Sequence, residues 1–282
     1  MVVLVLIALA AFIVAYIFYG AFIVKKLGVD PKIKTPAHTM RDDMDYVPAR
    51  APVLLGHHFA SISGAAPIVG PIVAAVFGWV PVFLWVVLGT IFIGAVHDTT
   101  ALFASVRHRA KSISEVLKDN VGISSKKLFA AFATLTLILI MAVFAFVIAK
   151  MFAGIPEVAT ASILFIVLAI FFGYFVYRRG APLLWSSVIG VALLILCVWL
   201  GTLFPLQLPL TAWIPILLVY AFVAAVLPVW FLLQPRDYLN SFLLYAFLAV
   251  AVIAILVGNP AVKLPAFTSF ETNLGYLFPI LF

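Results

Sequence analysis

Long apolar runs, each followed by a shorter and more polar segment, dominate the pattern of residues along this chain. A run of about 20 apolar residues is long enough to cross the hydrocarbon core of a bilayer as an α-helix. The strands of an outer-membrane barrel would instead alternate polar and apolar residues over about 10 positions. The pattern therefore predicts eight transmembrane helices, at residues 1–24, 54–77, 80–105, 128–151, 158–177, 182–203, 211–233 and 238–258.

The composition excludes a soluble or a disordered protein. Hydrophobic residues occupy 66% of the 282 positions and charged residues 10%, against about 45–50% and about 25% in soluble domains. The chain also has no Gly-x-x-x-x-Gly-Lys-Ser/Thr motif for binding ATP. We therefore predict an all-α membrane protein, a polytopic helical bundle in contact with lipid, and no enzymatic activity.

Basic residues are divided unequally between the two sets of loops. Of the 17 lysines and arginines, 15 lie in the loops after the first, third, fifth and seventh predicted helices, and the other side of the membrane holds only Lys150 and Lys263. By the positive-inside rule, the first set of loops is cytoplasmic. This predicts a multi-pass protein of the inner or plasma membrane with its N-terminus outside. Because the basic residues lie between apolar spans, the net charge of +7 does not indicate nucleic-acid binding.

The two ends of the chain are both apolar. Residues 1–24 lack a basic n-region, are long for a signal peptide and are followed by Lys25 and Lys26, so we expect a retained helix. Residues 274–282 resemble the start of a ninth span. Between spans, the serines at 112 and 114 and Glu115 precede an apolar face at capping-box spacing. They predict a short amphipathic helix on the inner membrane surface, or else a solvated linker helix.

The second predicted span carries an unusual cluster of helix breakers: Gly64, Pro67, Gly70 and Pro71. Proline removes a backbone donor and clashes with the carbonyl four residues earlier, and glycine makes other backbone angles accessible. We predict an unwound stretch within residues 63–70. The alternative is a kinked helix that packs closely through its small residues.

The seventh predicted span contains Pro215 and Pro228. If the second span is counted as helix one of a core, the seventh span is helix six, and these two run in opposite directions. Helices one and six are the broken pair at the substrate site of transporters built from five-plus-five inverted repeats. The expected organisation is an extra helix at 1–24, a cytoplasmic loop at 25–53, a first repeat at 54–203, and a second repeat that begins at 211–282 and is incomplete at its C-terminus.

Few polar side chains fall inside the predicted spans, and buried ionisable groups in membranes are candidates for function. Residues His57, His58, His97 and Asp98 are predicted near the inner ends of the second and third spans, and Asp98 is the only acidic residue predicted inside a span. A histidine–aspartate pair between neighbouring helices could carry a proton. The alternative is that the histidines cap a helix and contact lipid headgroups.

Two further groups of residues have weaker interpretations. Arg236 and Asp237 follow the seventh span in a predicted cytoplasmic turn at 234–238, where they form a gating pair or a local salt bridge. The histidines could in principle ligate a metal or haem, although two of the three are sequence neighbours that point in different directions.

Cys197 is the only cysteine, so no disulfide within the chain is expected. We expect no cofactor beyond a coupling ion, H⁺ or Na⁺.

Several longer motifs resemble the carbon starvation protein A family. They are Asp-Tyr-Val-Pro at 45–48, Gly-His-His-Phe-Ala at 56–60 with the Ser-rich and Gly-rich stretch to Pro71, Gly-Ala-Val-His-Asp at 94–98, Ala-Ala-Val-Leu-Pro-Val-Trp at 224–230 and Pro-Arg-Asp-Tyr-Leu at 235–239. Glutamine is commoner in that family where His97 stands. The resemblance covers nearly all of this chain and the N-terminal part of the family.

The resemblance implies inner-membrane uptake of peptides or pyruvate during nutrient starvation, by alternating access, and kinship with the amino acid–polyamine–organocation transporters. The expected substrate-binding residues, at the two predicted breaks, are Ser61, Ser63, Gly64, Ala66, Pro67, Gly70, Pro228 and Trp230. The competing hypothesis is a membrane redox subunit or a starvation sensor without transport activity. The sequence does not choose between a peptide and pyruvate as the substrate, or between a proton and sodium as the coupling ion. It does not indicate an oligomeric state either.

Overall fold

The computed structural model describes residues 1–64 and 66–280, and most of them are helical. Seven helical segments in this part of the chain are long and apolar enough to cross a membrane, and Leu210–Val226 is a shorter apolar helix. The seven are Val2–Leu27, Ala51–Phe77, Trp79–Arg107, Ile123–Gly154, Pro156–Val176, Leu183–Leu203 and Leu233–Gly258. Each predicted apolar run matches one of these eight segments, which confirms the polytopic all-α class.

Several of the segments are interrupted, so the individual α-helices are shorter. They are α1 Val2–Val14, α2 Ala21–Leu27, α3 Pro36–Thr39, α4 Ala51–Ile62, α5 Ala66–Ala74, α6 Trp79–Leu84, α7 Ala95–Arg107, α8 Ile113–Asn120, α9 Ile123–Gly154, α10 Pro156–Gly173, α11 Leu183–Leu203, α12 Leu210–Val226, α13 Leu233–Gly258 and α14 Leu277–Ile280. The linking turns are π-helical at Ala15–Gly20, Trp85–Gly94 and Tyr174–Arg178 and 3₁₀ at Ala75–Phe77. The predicted amphipathic segment forms α8.

The boundary between the seventh and eighth predicted spans is wrong. Helix α12 ends at Val226, seven residues early, because Leu227 precedes a proline and takes the extended conformation that proline favours, with φ −75° and ψ 145°. Helix α13 begins at Leu233, with Pro235 in its first turn. Proline is tolerated there, since the first amides of a helix have no helical acceptor. The predicted cytoplasmic turn at 234–238 is therefore the start of α13.

The segment after α13 is irregular, and residues 274–276, at the start of the predicted ninth span, form a turn and a strand instead of a helix. Strand β1, Glu271–Thr272, pairs antiparallel with β2, Gly275–Tyr276, before the single turn of α14. Gly275 has φ +118°, which makes the tight turn accessible. Upstream, the backbone N–H of Trp79 donates to the carbonyl of Pro265 at 3.0 Å, so this segment also binds the turn between α5 and α6.

The chain forms two compact units. One comprises Met1–Thr39, Ile62–Asn120 and Ala246–Phe282, and the other comprises Met40–Ser61 and Val121–Tyr245. In the second unit α10 packs on α11 and α9 on α12. Small residues permit these contacts: a Cβ on Gly201 would lie 2.7 Å from the carbonyl oxygen of Glu157. Trp213, which is 1% exposed, fills the space between α9 and α12 against Phe152.

Candidate functional site

The second apolar segment is broken where the glycine and proline cluster predicts it. Helix α4 ends at Ile62, Ser63 and Gly64 are not helical, and α5 begins at Ala66. The prediction of unwound backbone within residues 63–70 is thereby confirmed, with Pro67 in the first turn of the new helix. Ala65 and the side chain of Ala66 lie outside the described residues. A Cβ on Gly64 or on Gly70 would meet no atom within 4 Å, so space is open beside both.

Pro228 and Trp230, the other predicted substrate-binding residues, lie in the loop between α12 and α13. The backbone N–H of Phe231 donates to the carbonyl of Pro228 at 3.0 Å and closes a turn. The guanidinium of Arg178 lies over the Trp230 ring, 5.3 Å from its centroid. Pro228 thus ends a helix and does not interrupt one.

The second compact unit holds a network of charged side chains that sequence reasoning did not assemble. Nδ1 of His57, on α4, lies 2.9 Å from Oδ2 of Asp237, on α13. Nη2 and Nε of Arg236 donate to Oδ1 of the same carboxylate at 2.9 and 3.1 Å. Nη1 of Arg236 donates to the hydroxyl of Tyr220, on α12, at 2.7 Å. Both carboxylate oxygens of Asp237 therefore have cationic or potentially cationic partners from two helices.

Close packing fixes this network. A Cβ on Gly56 would lie 2.8 Å from Oγ of Ser241 and 3.0 Å from Cδ2 of Tyr238, so only glycine lets α4 approach α13 this closely. The hydroxyl of Tyr238 is 2.7 Å from Oγ of Ser187, on α11, and this buried hydrogen bond fixes the ring. Val53, 2% exposed, fills the contact one helical turn before His57.

The other predicted candidates for ion coupling are His97, Asp98 and His58. Nδ1 of His97 is 3.0 Å from Oδ1 of its neighbour Asp98 in the first turn of α7. The side chain of Asp98 is 45% exposed, whereas that of Asp237 is 12% exposed. His58 is exposed on α4. The statement that Asp98 is the only acidic residue inside a span is wrong, because α13 starts early enough to contain Asp237.

One signal in the sequence could have identified Asp237. Proline in the first helical turn, followed shortly by an acidic residue, is typical of a helix start. Pro235 and Asp237 have this arrangement. The pairing with His57 has no such signal, since the two residues are far apart in the sequence. No set of three or more His, Cys, Asp or Glu side chains that could hold a metal ion occurs among residues 1–64 and 66–280.

Comparison with known proteins gives one family. The sequence profile described as carbon starvation protein CstA matches residues 1–282. The chain is 38% identical over 290 residues to the peptide transporter CstA of Campylobacter jejuni, a match that covers 98% of this chain and 41% of that protein. It is 38% identical over 270 residues to the peptide transporter CstA of Bacillus subtilis, covering 93% and 45%.

A further relative has a different name. The chain is 36% identical over 292 residues to the pyruvate/proton symporter BtsT of Escherichia coli K12, covering 98% of this chain and 40% of that protein. The chain thus spans less than half the length of the curated relatives it matches. No solved structure matches it.

Proposed function

The chain belongs to the carbon starvation protein CstA family, and from that membership we propose that it forms part of a secondary active transporter in the inner membrane. The substrate is a small solute that bears a carboxylate, either a short peptide or pyruvate. The names of the relatives support both substrates, since two are called peptide transporters and one a pyruvate/proton symporter. Uptake serves the cell during carbon starvation and proceeds by alternating access.

The observation that carries this proposal is the break in the second apolar segment. A helix interrupted inside the membrane leaves backbone groups without helical partners, and such groups are tolerated where they face protein or a water-filled cavity. The first N–H groups of α5 follow the break and carry the positive end of its dipole. They suit a substrate carboxylate, with the Ser63 hydroxyl as a further donor. The open space beside Gly64 leaves room for the substrate.

Coupling to an ion gradient supplies the energy for accumulation. The name of the Escherichia coli relative, a pyruvate/proton symporter, favours the proton. His57 with Asp237 and His97 with Asp98 each combine a histidine with a carboxylate. Histidine is the side chain whose ordinary titration lies closest to neutral pH.

The test is transport by the purified full-length protein in liposomes. Labelled pyruvate and a labelled dipeptide are offered under an imposed proton gradient, an imposed sodium gradient, or neither. We expect accumulation of at least one substrate under one gradient. Uptake no greater than into empty liposomes under every condition would contradict the proposal.

A substitution in the break tests the site itself. Gly64→Leu places a large side chain in the open space, so the protein should insert normally and lose most of its uptake. Gly154→Leu is the matched control, because Gly154, at the end of α9, also has no atom within 4 Å of an added Cβ. Equal uptake by the two variants would show that residues 63–64 do not form the carboxylate site.

A further inference from the structure

The partly buried network of His57, Asp237, Arg236 and Tyr220 combines a histidine with a charge-paired carboxylate, as a proton-binding site requires. On the basis of the proposed function, we propose that His57 is the residue that binds and releases the coupled proton, with Asp237 and Arg236 as positioning residues. The geometry that carries the proposal is the 2.9 Å contact between Nδ1 of His57 and Oδ2 of Asp237 across two helices.

The hydrogen bond defines where the proton binds. An ionised carboxylate only accepts hydrogen bonds, so Nδ1 of His57 carries a hydrogen and donates it to Oδ2 of Asp237. In the neutral imidazole Nε2 then holds a lone pair. The coupled proton adds to that lone pair and leaves from it, and no other bond changes. The His57 side chain is 28% exposed and that of Asp237 is 12% exposed, so the histidine is the more accessible of the two.

Protonation of His57 changes the net charge of the network. The groups that face His57 and its partner are the Asp237 carboxylate and Arg236 guanidinium on α13 and the Tyr220 hydroxyl on α12. The guanidinium and the carboxylate cancel, so the network is neutral when His57 is neutral. It carries one positive charge when His57 is protonated. An anionic substrate is therefore favoured by the protonated form, and by linkage the substrate favours protonation in return.

His57 lies on α4, the helix that precedes the break in the sequence. Helix α4 ends at Ile62, five residues after His57, which is about 7.5 Å of helical rise. Gly56 is in close contact with α13, and this tight packing holds its neighbour His57 next to Asp237.

The experiment compares His57→Gln with wild type in liposomes holding the full-length protein. Two readouts are taken: accumulation of labelled substrate under an inward gradient of one pH unit, and counterflow of labelled against unlabelled substrate at equal pH. One proton per substrate supports accumulation of at most about tenfold at that gradient. We expect His57→Gln to lose the accumulation and to retain counterflow, because exchange requires no net proton movement. His38→Gln, at an exposed position of the short helix α3, is the matched control and should behave as wild type.

Asp237→Asn provides a second test, since asparagine keeps the size and an oxygen acceptor for Nδ1 but cannot neutralise a cation. We expect the same loss of accumulation with counterflow retained, and no larger loss when the two changes are combined. Full accumulation by His57→Gln or Asp237→Asn would overturn the assignment, and so would loss of counterflow together with accumulation, which indicates a structural role. Wild-type protein that accumulates substrate on a sodium gradient only would overturn the proton site and leave the transporter proposal intact. Wild-type protein without any transport would instead refute the proposed function.

Discussion

His57 and Asp237 are 180 residues apart in the sequence, yet Nδ1 of one lies 2.9 Å from Oδ2 of the other. The contact joins α4, which ends in the break, to the first turns of α13. Arg236 occupies the second oxygen of the same carboxylate. Removal of the Asp237 charge leaves the partly buried guanidinium of Arg236 uncompensated, whereas His57→Gln removes only a group that can titrate.

The first prediction concerns the fit between α4 and α13. Gly56→Ala adds a Cβ that would lie 2.8 Å from Oγ of Ser241 and 3.0 Å from Cδ2 of Tyr238. The two helices must then separate slightly. Overpacking of this kind lowers the free energy of unfolding by roughly 1–3 kcal/mol. We expect a lower thermal midpoint and weaker gradient-driven accumulation, because His57 moves relative to Asp237.

Ser241→Ala in the same protein supplies the control for this prediction. The double variant removes the Oγ atom that the added Cβ meets first, so accumulation should recover in part. Ser241→Ala alone loses one hydrogen bond to the carbonyl of Tyr238 and should have a smaller effect. A Gly56→Ala protein with unchanged stability would show that α4 and α13 can separate at no cost.

The helix break and the charged pair differ in how far they could be predicted from the sequence. The break follows from local chemistry, since glycine and proline act on the backbone near their own positions. The end of α12 also has a local cause in Pro228, but the apolar run through residue 233 obscured it. The partner of His57 has no local signal, because tertiary packing at Gly56 and Tyr238 brings α4 to α13.

The second prediction tests orientation. Cys197 is the only cysteine and is replaced by alanine first. A single cysteine at Lys111, before α8, should then react with a membrane-impermeant label only after the cytoplasmic side is opened. A cysteine at Leu206, before α12, should react in intact cells. The reverse pattern would contradict the positive-inside assignment.

The third prediction concerns the segment that leads into α4. Oδ1 of Asp42 accepts hydrogen bonds from the backbone N–H groups of Tyr46, Met44 and Asp45 at 2.8, 2.9 and 2.9 Å. These bonds, that from Tyr46 first and that from Met44 next, lower the pKa of Asp42 below its ordinary value. The stabilisation is therefore present above the unfolded pKa of about 3.9 and is lost as the pH falls through the lower folded value.

Hydrogen exchange measures this directly. At neutral pH, Asp42→Ala should lower the protection factors of the three amides several-fold. Asp45→Ala is the control, because it leaves the Asp42 carboxylate in place. In the wild type, the protection should persist on acidification to about pH 4 and disappear below it. Protection unchanged in Asp42→Ala would show that the carboxylate does not hold the turn.

The fourth prediction separates the two candidate pairs for ion coupling. Asp98 is hydrogen-bonded to its sequence neighbour His97, and their side chains are 45% and 78% exposed. A pair within one helical turn moves as a unit and cannot report a change between helices, whereas the pair of His57 and Asp237 joins two of them. Asparagine at position 98 keeps the size and most of the hydrogen bonding but cannot titrate. We therefore expect Asp98→Asn to accumulate substrate on a proton gradient to within about twofold of wild type, while His57→Gln does not. Loss of accumulation with counterflow intact in Asp98→Asn would transfer the coupling role to the pair on α7.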